Sequence, residues 1–244
     1  EAGYGGPAAA FMVYDGNGEC VAVDFRYLDA ELNGGVKTQC QGEKNGFYWT
    51  SDPRRLATAR TVFIVESPIN ALSIETALAH QKGFACLAIR GVANVGNIDW
   101  AFLRGKRAII ALDHTDRYDQ KSGKRPGMDA AYRLYDALTS ADIAARMVDM
   151  LEWNEGEDIN DVLQYGPHEL QIRLKKLDQW LIPGMPSVDA RDGDKAQGRR
   201  RIFLPAQDWG VYWRYRAMDD FMQHVDEFKD HEGDEDGPGA IWAW

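Results

Sequence analysis

The spacing of apolar and polar residues changes near residue 60. Before it, residues 11–14 (FMVY) and 20–27 (CVAVDFRY) are rich in Val, Phe and Tyr and flank Asp15-Gly16-Asn17-Gly18, which predicts a hairpin. Asn33-Gly34-Gly35 and Asn45-Gly46 mark two more turns, so residues 11–50 are expected to form a small antiparallel meander. After it, short apolar runs at 62–65, 84–89, 107–112 and 145–150 alternate with amphipathic stretches at 68–80 and 127–140. Mostly apolar strands separated by helices predict a parallel sheet covered on both faces, an α/β core. Residues 161–165 and 168–181 also read as helical, the second ending before Pro183. This divides the chain into a linker over 1–10, a β-rich subdomain over 11–58, an α/β domain over 59–182 and a C-terminal extension over 183–244.

Composition narrows the class. The 244 residues are 45% hydrophobic and 27% charged, enough apolar material for a core of this size, which excludes a disordered chain. No apolar run approaches the ~18 residues a membrane span needs. Three cysteines, Cys20, Cys40 and Cys86, without a CxxC pair, argue against a disulfide framework or zinc ribbon and for a reducing cytoplasm. Residue 1 is Glu and no basic-then-apolar leader follows, as expected of an excised fragment or processed chain.

The net charge of −10 says little against nucleic-acid binding, because residues 218–236 alone hold nine Asp/Glu and one Lys. Elsewhere the chain carries basic clusters at Arg54-Arg55, Arg104-Lys106-Arg107, Lys121-Lys124-Arg125 and Arg199-Arg200-Arg201, and a phosphate site needs only local positive potential. Trp209, Tyr212, Trp213 and Tyr215 suit either packing against the domain or stacking with single-stranded bases.

Ligands of open parallel sheets gather at the carboxyl ends of the strands. Glu66 follows the first predicted strand, Arg90-Gly91 the second, and Asp113 with Asp116 the third. Glu155, Glu157, Asp158 and Asp161 come after the fourth. Carboxylates brought together resist ionising unless a cation offsets them, and an oxygen-only set suits Mg²⁺ or Mn²⁺, ions that act on phosphate esters. Asp158 or Asn160 equally suits the N-cap of the helix starting near Asp161.

VFIVESPINALSIETAL (62–78), the Gly91 turn, AIIALDHTD (108–116) and GEDINDVL (156–163) together resemble the Toprim domain, and the last segment is most like its bacterial and phage primase and primase-helicase branch. The resemblance implies a Rossmann-like sheet and Mg²⁺- or Mn²⁺-dependent nucleotidyl transfer. Glu66, Asp113 and Asp116 would be catalytic and metal-binding. Asn70, Asp158 and Asp161 would be accessory, and Arg90, Lys124 and Arg125 would meet nucleic-acid or NTP phosphates. The implied partners are a single-stranded DNA template, NTPs and a helicase or other replication protein. Two departures stand out. The family's Glu-Gly-x-x-Asp is Glu66-Ser67-Pro68-Ile69-Asn70 here, and its Asp-x-Asp becomes Asp113-His114-Thr115-Asp116. They keep open metal-dependent nuclease or topoisomerase-type cleavage, and a non-catalytic module that binds nucleic acid or a partner. No GxxxxGK[ST] P-loop is present.

Overall fold

A computed structural model describes residues 6–113, 126–150, 153–154, 156–177, 187–189 and 201–203. The N-terminal part is a three-stranded antiparallel sheet, order β1-β2-β3, from β1 (Ala8–Tyr14), β2 (Cys20–Tyr27) and β3 (Thr38–Gly42). The predicted hairpin turn is held by Asp15, whose Oδ1 accepts from the backbone N–H groups of Asn17 (2.8 Å) and Glu19 (2.9 Å). β1 starts at Ala8, inside the stretch expected to be linker, because Ala8–Ala10 continue the ladder opposite Phe25–Tyr27. β3 ends at Gly42 (φ +93°), where a Cβ would run into the Val21 carbonyl.

The second part is a four-stranded parallel sheet, β5-β4-β6-β7, formed by β4 (Thr61–Val65), β5 (Phe84–Ala88), β6 (Arg107–Ile110) and β7 (Ala144–Met147). Alternate side chains of the central strand enter opposite cores. Val62 and Ile64 face a cluster with α1 (Pro53–Thr58) and α3 (Pro126–Ser140), joined by Trp100 and Leu103. Phe63 and Val65 face a second cluster with α2 (Pro68–Ala77), α4 (Ile159–Tyr165) and α5 (Pro167–Lys175). Both faces of β4, β5 and most of β6 are thus buried, which is why these strands read as apolar runs, whereas edge strand β7 is half exposed. A further antiparallel pair joins β8 (Ser187–Asp189) to β9 (Arg201–Phe203).

Two elements depart from expectation. Helix α1 is too short to show a period, yet it is capped by Asp52, which accepts from Arg54 N and Arg55 N, and Pro53 opens it. Helix α5 stops at Lys175 rather than near residue 181. The chain turns extended at Lys176 so that Leu177 forms a bridge with Val148, and Asp149 N donates to Lys176 O at 2.8 Å.

The two sheets are fastened together along β5. Trp49 and Ala88 exchange both backbone hydrogen bonds (2.9 and 2.8 Å), and Thr50 Oγ1 donates to the Cys86 carbonyl at 2.8 Å. Buried Asn94 donates to the Phe47 and Ile89 carbonyls and accepts from Gly46 N.

Candidate active-site cleft

The strand order has one reversal. From β4 the chain crosses to β5 on one side, then returns past β4 to β6 on the other. Outward-diverging connections leave a crevice at the carboxyl ends of such neighbouring strands. Glu66 leaves β4 there and Asp113 lies three residues beyond the end of β6, its immediate neighbour. A cleft of about 450 Å³ opens at this edge. Its lining includes Glu66, Asn70, Gly91, Asp113 and Asp158 as a floor, and Arg26 and Gln39 of the N-terminal sheet with Lys44 from the segment leaving it as a roof.

Local chemistry fixes the floor. Ser67 caps α2 by accepting from Asn70 N at 3.2 Å, and Pro68, needing no N–H partner, starts the helix. That cap aims the buried Asn70 amide at β6, where its Nδ2 donates to Asp113 Oδ1 at 3.3 Å. Asn70 Oδ1 is buried with no hydrogen-bond partner. The Glu66 carbonyl accepts from Arg90 N (2.9 Å) and Gly91 N (3.3 Å), locking the ends of β4 and β5 together. Gly91 has φ +113°, a value that favours glycine, and its Cβ position lies 3.5 Å from Lys44 Nζ.

Asp158 also lines the cleft, but its side chain caps α4. It accepts from Asp161 N at 2.8 Å while Asp161 Oδ2 accepts from Asp158 N at 3.0 Å, a reciprocal capping box. Burial, with the Asp161 charge adding to it, raises the Asp158 carboxyl above the ordinary aspartate range against the pull of that backbone bond. Exposed Asp161 stands one turn along and serves the cap rather than the cleft lining. Ser73 Oγ, 3.1 Å from Asn160 Oδ1, ties α2 to α4.

Glu157 is not part of the edge cluster that its place after the fourth strand predicts. It is buried and accepts from Arg173 Nη1 at 2.7 Å and from Asn154 N and Nδ2 at 3.2 Å each. Arg90 also departs from its expected role at phosphates. Its guanidinium is turned into the junction with the N-terminal sheet, paired with Asp24 at 2.6 and 2.9 Å. The cations that do line the cleft with exposed side chains are Arg26 and Lys44, whose charged heads have no ion pair or hydrogen bond with any described residue. Neither stands in a basic cluster, so local charge density gave no signal for them. Asp116, Lys124 and Arg125 lie outside the described residues, as do Glu155, Arg199–Arg200, the aromatic stretch 209–215 and the acidic stretch 218–236.

The donor set of the floor is all oxygen: the carboxylates of Glu66 and Asp113, with that of Asp158 beside them and the amide oxygen of Asn70 behind. Among the described residues of the floor, that chemistry fits a hard divalent cation better than a thiolate or imidazole zinc site. Among the described residues, no three acid, His or Cys side chains gather closely enough to hold an ion alone. Among the described residues, no helix is long and apolar enough to cross a membrane.

Comparison with known proteins bears on the family and the fold. No curated protein matches the sequence. The RNA polymerase domain of Mycobacterium tuberculosis primase DnaG superposes with a TM-score of 0.51 at 17% identity, covering 70% of this chain and 55% of that one. The primase fragment of the bacteriophage T7 primase-helicase gives 0.49 at 14% identity, covering 68% and 62%. A DnaG primase catalytic domain bound to single-stranded DNA gives 0.48 at 14%, covering 70% and 53%. The chain thus spans between about half and three-fifths of these structures. The Toprim domain family model matches residues 61–168, the segment that holds the parallel sheet and every floor residue of the cleft. Residues 61–168 of this chain are a Toprim domain, on a fold shared with bacterial primase.

Proposed function

We propose that this chain is the Toprim core of a primase-like or primase-helicase-like protein, joining nucleotides on a single-stranded DNA template with the help of Mg²⁺ or Mn²⁺. One observation carries the reading. Glu66 and Asp113 follow adjacent parallel strands at the reversal of strand order and line one cleft together with Arg26 and Lys44. Acids and cations lining the same cleft suit a ligand that brings its own anionic oxygens together with a metal ion.

In this reading Glu66 and Asp113, with Asp116 three residues further along the sequence, would hold the cation. When bound, it stabilises the negative charge that develops on a phosphoryl group during nucleotidyl transfer. Asn70 would orient the Asp113 carboxylate through the 3.3 Å hydrogen bond to its Oδ1. Glu66 would either join the cation's ligands or act as general acid or base on the attacking or leaving hydroxyl. Lys44 and Arg26 neutralise and orient phosphates of the template or the NTP, and Lys124 and Arg125 would extend that basic surface. Asp158 and Asp161 support the edge through the α4 cap. A helicase or other replication protein would supply template capture and unwinding in the cytoplasm.

The test is template-dependent incorporation of NTPs on single-stranded DNA with Mn²⁺ or Mg²⁺, which Asp113→Asn should abolish. Cleavage of the same DNA without NTPs would support a nuclease or topoisomerase-type activity instead. A chain that binds DNA but does neither would be a non-catalytic module. Asn70, in place of the family's acid, is the observation that favours that second reading.

A further inference from the structure

Arg90 follows β5 with φ +65°, a conformation that residues other than glycine seldom adopt. Its side chain is fully buried, and all five of its N–H groups are used. Nε and Nη2 hold the two oxygens of Asp24 at 2.6 and 2.9 Å, Nη2 also donates to Cys40 Sγ at 3.1 Å, and Nη1 donates to the carbonyls of Glu43 (3.1 Å) and Lys44 (3.2 Å). Every acceptor belongs to the N-terminal sheet or the segment leaving it: Asp24 on β2, Cys40 on β3, and residues 43–44 just beyond. The backbone N–H of the same residue donates to the Glu66 carbonyl. One residue therefore joins the acidic floor of the cleft to its basic roof.

We propose that Arg90 is a positioning residue that sets the cleft by clamping the roof to the floor, so that Lys44 and Arg26 stand opposite Glu66 and Asp113. The inference rests on reading the cleft as a nucleic-acid and nucleotide site. The geometry explains why arginine occupies a strained position. Only a planar fork with five donors can grip a carboxylate with two parallel bonds and two successive carbonyls at once; a lysine ammonium offers three donors from one point. Holding the Lys44 carbonyl fixes the start of its side chain, whose ammonium lies beside Gly91. The guanidinium has no donor left for a phosphate. Its effect on substrate passes through the roof, and its loss should weaken substrate binding while sparing the cation held by the floor.

The experiment compares the full chain with Arg90→Lys, Asp24→Asn, the double variant and Lys44→Ala. It reads hydrogen exchange by mass spectrometry, Mn²⁺ affinity by electron paramagnetic resonance, and affinity for a fluorescein-labelled single-stranded oligonucleotide. Arg90→Lys and Asp24→Asn should each speed exchange over residues 38–47 at least tenfold without changing residues 61–65. They should weaken oligonucleotide binding about tenfold and leave Mn²⁺ affinity within twofold, and the double variant should be no worse than the weaker single one. Lys44→Ala should lose oligonucleotide affinity with exchange unchanged. Unaltered exchange over 38–47 in the clamp variants overturns the proposal, as does a parallel loss of Mn²⁺ binding. A wild-type chain that binds neither probe defeats the reading of the cleft; the exchange result then still decides the clamp by itself.

Discussion

Asn70 in the first turn of α2 donates its side-chain amide to Asp113 beyond the end of β6, at 3.3 Å and across 43 residues of sequence. The bond turns one carboxylate oxygen toward the helix and commits the amide to a fixed orientation, since the opposite flip would set its carbonyl against the carboxylate. It also leaves Asn70 Oδ1 buried and without a partner. A neutral amide stands where the family usually carries an acid, so the floor holds one charge fewer than the resemblance implies.

Asn70→Asp should expose that difference. It removes a donor and sets a second carboxylate against Asp113 in a partly buried site, so the pair would hold a proton well above the ordinary carboxylate range. A raised folded-state pKa means stability is kept at low pH and lost as pH rises. The variant should therefore match the wild type near pH 4 and fall below it by about 1–3 kcal/mol near pH 8. Mn²⁺ should restore its melting temperature more than it raises that of the wild type. Identical melting of both proteins at the two pH values would show that the 3.3 Å bond does not constrain Asp113.

Asp158 separates a cap from a ligand. Asp158→Ala removes the acceptor for Asp161 N and should cost about 1 kcal/mol. Asp158→Asn keeps a good cap and removes a charge that burial disfavours, so at pH 7 it should be as stable as the wild type or more so. The charge cost arises only above the ordinary aspartate value of about 3.9, so any gain should vanish below it. Chemical denaturation of both variants at pH 7 and pH 3.5 checks this. A loss in Asp158→Asn equal to that in Asp158→Ala would contradict the cap.

The Glu157–Arg173 pair predicts the acid limb of stability. Burial raises the Glu157 carboxyl, but the Asn154 donors and the Arg173 guanidinium outweigh it and hold the group below the ordinary range. Its contribution is therefore present above about pH 4.3 and lost as pH falls through the lower folded-state value. Glu157→Gln should cost about 1–3 kcal/mol at neutral pH. The gap to the wild type should close below pH 4, as read from urea midpoints across pH. A gap independent of pH would mean that the ion pair contributes nothing.

Much of this arrangement was legible in local patterns. Apolar runs marked the parallel strands because both sheet faces are buried, and the DGNG turn marked the hairpin because Asp15 satisfies its own loop. Glu66 and Asp113 could be singled out because they follow such runs. That they are neighbours depends on β6 pairing with β4 rather than β5, a long-range choice that no local window contains. Helix α1 has no period to detect and shows itself only through the Asp52-Pro53 cap. The resemblance assigned Arg90 to phosphates. Its true partners, Asp24 and the carbonyls of residues 43–44, lie 66, 47 and 46 positions away. The Toprim motifs themselves were readable, and the family model covers the same segment, 61–168.

The central claim is that Glu66 and Asp113, drawn together by adjacent strands, hold a divalent cation in common. Titration of Mn²⁺ into the wild type, Glu66→Gln and Asp113→Asn, followed by the electron paramagnetic resonance signal of free Mn²⁺, tests it most directly. The account predicts saturable binding to the wild type and at least a tenfold weaker affinity in each variant, with all three proteins folded. Equal Mn²⁺ affinity in the three proteins, or no binding to the wild type, would contradict it.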